Sequence, residues 1–177
     1  MRVITTAILS SLFALLLCSC VSLPLHNAGI DDPALQEIAS AYEKTVSAAL
    51  NDPDKEWQSG WLGNMWIHYD SKQQLGLCYE WKYLVHAGVA DTVNSVGWQT
   101  RGIAINEGTP HEHHAVLVFD PARVNLGKLL TASAQQPVYV LDAWRQGRAD
   151  IYILAEWLNS PFETRTPPRI FTISEKK

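Results

Sequence analysis

The first twenty residues, MRVITTAILSSLFALLLCSC, decide how much of this chain there is to fold. One basic residue, Arg2, precedes an apolar and small-residue run that closes on two cysteines. That is the layout of a secretory signal, which is removed rather than folded. Val3 to Leu17 is too short for a comfortable membrane span, and polar, turn-forming sequence follows instead of a stop-transfer pattern. Nothing later in the chain is apolar enough to span a bilayer. The signal implies an oxidising compartment, yet beyond Cys18 and Cys20 the chain holds only Cys78. The fold must therefore rest on its core and not on internal disulfides.

The stretch LCSC also resembles the lipobox of bacterial lipoproteins, in which the cysteine is lipidated after cleavage. Cys20 fits that role better than Cys18, because small Ser19 precedes it whereas bulky Leu17 precedes Cys18. The lipobox puts the signal at residues 1–19; the aperiodic stretch that follows, mixing proline, glycine and asparagine, reads as a tether over 20–31, and one domain runs over 32–177. Acyl chains contribute about 0.8 kcal/mol per buried CH₂, so several on Cys20 would hold the protein on a membrane. Val21 and Ser22 carry no acidic retention signal, which implies a lipid anchor at the periplasmic face of the outer membrane in a Gram-negative cell envelope.

Cleavage before Cys20 leaves residues 20–177, enough for one domain with a sizeable core. Loss of Arg2 leaves thirteen Lys and Arg against eighteen Asp and Glu, a net charge of −5. With no lysine- or arginine-rich run, nucleic acid is excluded as an expected partner. All seven tryptophans lie between Trp57 and Trp157, and such residues are more often core than ligand platform.

Asp31 or Asp32 followed by Pro33 starts a helix, and Leu35, Ile38, Ala39, Tyr42, Val46, Ala49 and Leu50 form its apolar stripe. Asn51-Asp52-Pro53 ends it. Residues 54–75 read as an aromatic-rich loop with a short strand at Met65 to Tyr69. Leu77 to Ala87 reads as a second helix that Gly88 stops, with Cys78 in its first turn. Alternation then predicts strands at Trp98 to Asn106, His114 to Asp120 and Val138 to Asp142. Asp150 to Leu158 is open between strand and helix, and the tail from Pro161 to Ile173 is extended. Helices first and an antiparallel meander afterwards make an α+β fold.

A cysteine at a helix N-terminus meets the positive end of the macrodipole, which favours the thiolate. A thiol nucleophile also needs a base. Among His68, His86, His111, His113 and His114, only His114 begins a predicted strand, HAVLVFD, and is fixed by it. Asp142 closes the strand VYVLD on the face of Val138 and Val140, where a carboxylate needs a partner. His114 is the partner expected, and Asp142 would orient its ring.

Gly76-Leu77-Cys78-Tyr79-Glu80-Trp81, His114-Ala115-Val116 and Val140-Leu141-Asp142-Ala143-Trp144 resemble the Cys, His and Asp blocks of transglutaminase-like, papain-fold cysteine hydrolases. The resemblance covers about residues 57–157. It implies a nucleophile helix packed on an antiparallel sheet and acyl transfer through a thioester at Cys78, with His114 as base and acid. It also implies an oxyanion hole built from the Cys78 N–H and an upstream side chain, for which Gln74, Gln73, Trp66 and Tyr69 are candidates. Such donors are worth about 3 to 4 kcal/mol at the transition state. Trp81 and Trp144 would line the substrate groove. Val116 departs from the family, which has an aromatic residue there. With no histidine after His114, relatives that use a Cys-His-His set are excluded.

His111-Glu112-His113-His114 could suggest a metal, but neighbours on a strand alternate faces and no HExxH or cysteine ligand accompanies them. Neither a metal nor another cofactor is expected. Two functional classes follow. One is an envelope thiol hydrolase or acyltransferase acting on a peptide, isopeptide or amide bond in a peptide, protein or peptidoglycan substrate. The other is a non-catalytic lipoprotein of the same fold that binds through a Trp-lined groove.

Overall fold

Pro33–Leu50 forms α1 where the sequence places its start. The Asp32 carboxylate accepts hydrogen bonds from the backbone N–H of Ala34 at 3.0 Å and of Leu35 at 3.3 Å, so the first turn is capped by a side chain. Leu35, Ile38, Ala39, Tyr42, Val46 and Ala49 turn inward at helical spacing, while Leu50 is exposed. The computed structural model describes residues 30–69, 74–131, 137–159 and 166–174. The signal, Cys20 and nearly all of the tether lie outside them. Ile30 is already buried, so the domain's core begins just before Asp32.

After α1 come β1 (Glu56–Trp57), α2 (Gly60–Tyr69), β2 (Gln74–Leu75) and α3 (Cys78–Ser95). Met65 to Tyr69, expected to be a strand, belongs to α2. The aromatic run carries no strict two-residue alternation, and β1 and β2 pair in parallel around it instead. Helix α3 outruns its expected end. Gly88 does not stop it but lies inside it, facing α1, where an added Cβ would stand 2.1 Å from the Thr45 hydroxyl. The residue is small because two helices cross there.

Five antiparallel strands follow in the order β6-β5-β4-β3-β7. They are β3 (Gln99–Ile105), β4 (His113–Phe119), β5 (Tyr139–Leu141), β6 (Ile151–Ile153) and β7 (Arg169–Phe171). The expected meander is β3 to β5, and the extended tail supplies β7 on the other edge of β3. The open segment resolves into both alternatives, β6 and then the short α4 (Leu154–Leu158).

Strand alternation splits the core into two layers. Val116, Val118, Leu141 and Ile151 pack against Tyr42, Val46, Trp81, Val85 and Val89 of α1 and α3. Ile103, Ile105, Ala115, Leu117, Phe119 and Val140 face Leu129 of a 3₁₀ turn (Leu126–Thr131) and Trp157 of α4. The fold is α+β, an antiparallel sheet with its long helices on one face and short elements on the other.

Candidate active site

Cys78 is the first residue of α3 and is 6% exposed. Its position is held from both sides. Ahead of it, Gly76 has φ +131°, and an added Cβ would lie 2.2 Å from the Gln58 carbonyl oxygen, so only glycine fits. Behind it, the Glu80 carboxylate reaches back to accept from the N–H of Gly76 at 2.9 Å and of Leu77 at 3.0 Å. This is the return half of a capping box. With those N–H groups occupied, the Cys78 N–H has no acceptor among the described residues. The thiol donates to the Glu112 carbonyl at 3.7 Å, which brings it to the first residue of β4.

That residue is His113. Its Nε2 lies 2.8 Å from Asp142 Oδ2 in a buried pair. Asp142 Oδ2 also accepts from Trp157 Nε1 at 2.8 Å and from Arg145 Nε at 2.9 Å. The carboxylate is fixed through its backbone as well, its N–H donating to the Asp150 carbonyl at 3.1 Å. Tyr152 and Arg148 hold the Asp150 carboxylate in turn. The Trp144 ring covers the imidazole at 4.5 Å between centroids.

Burial works against charge on His113, but the Asp142 carboxylate outweighs it, by charge first and by hydrogen bonding next. The adjacent Cys78 side chain adds to the effect, and the pKa rises from 6.5 to about 9. Asp142 is its counterpart. Burial would push its pKa up, and the His113 charge and hydrogen bond, with Arg145 and Trp157, bring it below the usual 3.8. The other ring nitrogen, His113 Nδ1, is buried and has no hydrogen-bond partner among the described residues. One nitrogen is therefore held by a carboxylate, and the other is left unengaged among the described residues.

The expected base, His114, is replaced by its neighbour. His114 leaves β4 from the opposite face, where its Nε2 lies 2.7 Å from Glu112 Oε1 and its ring meets Phe171 edge-on. Burial, ahead of the Glu112 hydrogen bond that opposes it, lowers its pKa from 6.5. The structure brings Asp142 and the Cys78 side chain to His113. His114 is not part of this group.

Two other expected groups move. Trp81 is a core residue and not a groove wall, being 1% exposed with its Nε1 donating to the Gln58 carbonyl at 2.8 Å and its ring 4.7 Å from Trp57. Trp144 does stand at the site, half-buried over His113. Gln73 lies outside the described residues, as do the side chains of Gln74, Trp66 and Tyr69. Arg145 and Trp157 were not anticipated. An arginine three residues after a buried aspartate was the one available signal for the first, and only folding brings the second to Asp142.

Comparisons with protein-family models, with curated proteins and with solved structures found no match for this chain.

Proposed function

We propose that the protein is a thiol hydrolase or acyltransferase whose catalytic set is Cys78, His113 and Asp142, acting on a peptide, isopeptide or amide bond. The observation that carries the reading is the buried His113–Asp142 pair, with the Cys78 side chain among the neighbours that raise the His113 pKa. The nucleophile helix against an antiparallel sheet supports a transglutaminase-like, papain-type architecture. As the substrate binds, His113, its ring held by Asp142, takes the proton of the Cys78 thiol. The sulfur attacks the carbonyl carbon, and the carbonyl electrons move onto oxygen, toward the Cys78 N–H at the helix N-terminus. His113 then gives its proton to the leaving nitrogen, the C–N bond breaks, and a thioester remains. Water or an amine, deprotonated by His113, releases the acyl group and restores the thiol.

The lipobox-like LCSC stretch supports a lipid anchor at Cys20 and a place at the periplasmic face of the outer membrane, where peptidoglycan and envelope proteins offer the required bonds. Incubating the full chain and its Cys78→Ala form with purified peptidoglycan and with envelope protein, then comparing products by mass spectrometry, tests this. Products that depend on Cys78 are expected. Identical product sets from the two forms would defeat the reading.

Burial of Cys78 to 6% exposure favours a second reading, a binding module in which the sulfur is a small core group. Alkylation separates the two. In the second reading Cys78 reacts with iodoacetamide near neutral pH no faster than the same residue in the urea-unfolded chain.

A further inference from the structure

Helix α3 sets Cys78 and Lys82 four residues apart, on the same face, where side chains are neighbours. Lys82 is 5% exposed, an uncommon state for a lysine. Buried ammonium groups are paired as a rule. Among the described residues, however, no carboxylate lies within ion-pair distance of Lys82; its Nζ rests over the faces of Tyr83, at 4.1 Å, and Phe171, at 5.0 Å. The nearby acidic groups are engaged elsewhere. Glu112 is held by His114 and the Gly108 N–H, and Glu107 by Arg169, whose guanidinium lies over the Phe171 ring at 4.6 Å. A cation whose stem is buried one helical turn from the sulfur, and whose ammonium meets only two π faces among the described residues, has capacity for an anion.

We propose that Lys82 receives a negative group of the substrate, so that the acyl donor bears a carboxylate close to the carbonyl that Cys78 attacks. The inference rests on Cys78 being the reactive thiol of the proposed function. A substrate of this class, an acidic peptide or a peptide ending close to the scissile bond, would be chosen over its neutral amide. Arg169, already bonded to Glu107, would add to the field without making the contact.

Two small alkylating reagents of matched shape provide the test, iodoacetate carrying a charge and iodoacetamide none. In either case the sulfur bonds to the CH₂ carbon and iodide leaves. Rates are followed at the Cys78 peptide of the full chain by mass spectrometry, so that Cys18 and Cys20 do not contribute. The ratio of iodoacetate to iodoacetamide rate constants is expected to exceed that of the unfolded chain. It should fall about tenfold in Lys82→Gln and hold in Lys82→Arg. A ratio in the native protein no higher than in the unfolded chain overturns the inference without recourse to any variant. A high ratio that Lys82→Gln leaves intact overturns it too, and assigns the preference to His113. If Cys78 reacts slowly with both reagents, the thiol reading itself falls and takes this inference with it.

Discussion

On one side of β4 lies His113, its ring clasped by a carboxylate that also takes an arginine and an indole N–H; on the other lies His114, bonded to a half-exposed glutamate and packed edge-on against Phe171. The residues are adjacent and both largely buried, yet their titrations shift in opposite directions, upward for His113 and downward for His114. Burial disfavours the charged form of each. The difference lies in the partner. Asp142 is itself buried and has its charge stabilised by three donors, whereas Glu112 is partly solvated, and Lys82 on the neighbouring helix opposes a second positive charge beside His114. An imidazole becomes a proton carrier at working pH through the group behind it more than through its own burial.

The largest effect should separate the two rings by chemistry. His113→Ala is expected to slow alkylation of Cys78 by iodoacetamide near neutral pH by about 10²-fold or more, the range for losing a positioned acid or base. His114→Ala should leave that rate close to the native value. Equal losses in the two variants would mean that the sulfur is coupled to neither ring in particular.

Next in size is the cost of removing the carboxylate. Asp142→Ala strips a buried, charge-stabilised partner from His113, Arg145 and Trp157, and should cost about 3 to 5 kcal/mol in urea unfolding. Asp142→Asn keeps the volume and removes the charge, so the His113 titration, followed by NMR, should move down toward 6.5. A His113 titration that stays near 9 in Asp142→Asn would assign the shift to something other than this pair.

That these neighbours would divide the labour so unequally was not legible from either strand alone. Alternation says only that His113 and His114 lie on opposite faces, and that Asp142 follows Val140. Which face of β4 meets which face of β5 is a matter of register. The structure pairs Leu117 with Val140 and Val116 with Leu141, and one further step sets Asp142 level with Ala115, on the face of His113. A one-residue slip would have set Asp142 on the face of His114 instead. By contrast α1 was legible to within a residue, because Asp32, Pro33 and the stripe from Leu35 to Ala49 are local signals that agree. Gly88 misled for the opposite reason. Its smallness answers to Thr45 on another helix, not to a local turn. The thiol's helix and the meander could be read because they depend on neighbours in sequence; the choice of histidine and the burial of Trp81 depend on partners far along the chain.

The pH dependence of stability provides a smaller and signed comparison. His113 has a folded pKa above its unfolded value near 6.5, so its contribution is fully present below about pH 6.5 and is lost as pH rises through about 9. His114 has a folded pKa below its unfolded value, so the unfolded chain binds the proton better and stability falls as pH drops below about 6.5. His114→Gln should flatten the limb between pH 6.5 and 5, where one proton changes stability by at most about 1.4 kcal/mol per pH unit. Asp142, with its lowered pKa, loses its share only further down, as pH falls through that lowered value. Urea midpoints between pH 5 and 10 measure the two limbs, and a His114→Gln profile with an unchanged acid limb would contradict the assignment.

The smallest expected effect tests whether the two sides of β4 are separable at all. The Glu112 carboxylate accepts from the Gly108 N–H at 2.7 Å and pairs with His114, while its backbone carbonyl, which any substitution keeps, accepts from the Cys78 thiol. Glu112→Ala should cost about 0.5 to 1.5 kcal/mol, the scale of a partly solvated hydrogen bond. It should also lower the His114 pKa further, because the bond and charge that partly offset burial are gone. Alkylation of Cys78 should change little, since His113 and Asp142 are untouched. If Glu112→Ala instead slowed alkylation as much as His113→Ala does, the turn from Gly108 to Glu112 would be holding the sulfur in place through its side chain. The two histidines would then be parts of one coupled network and not two independent settings on one strand.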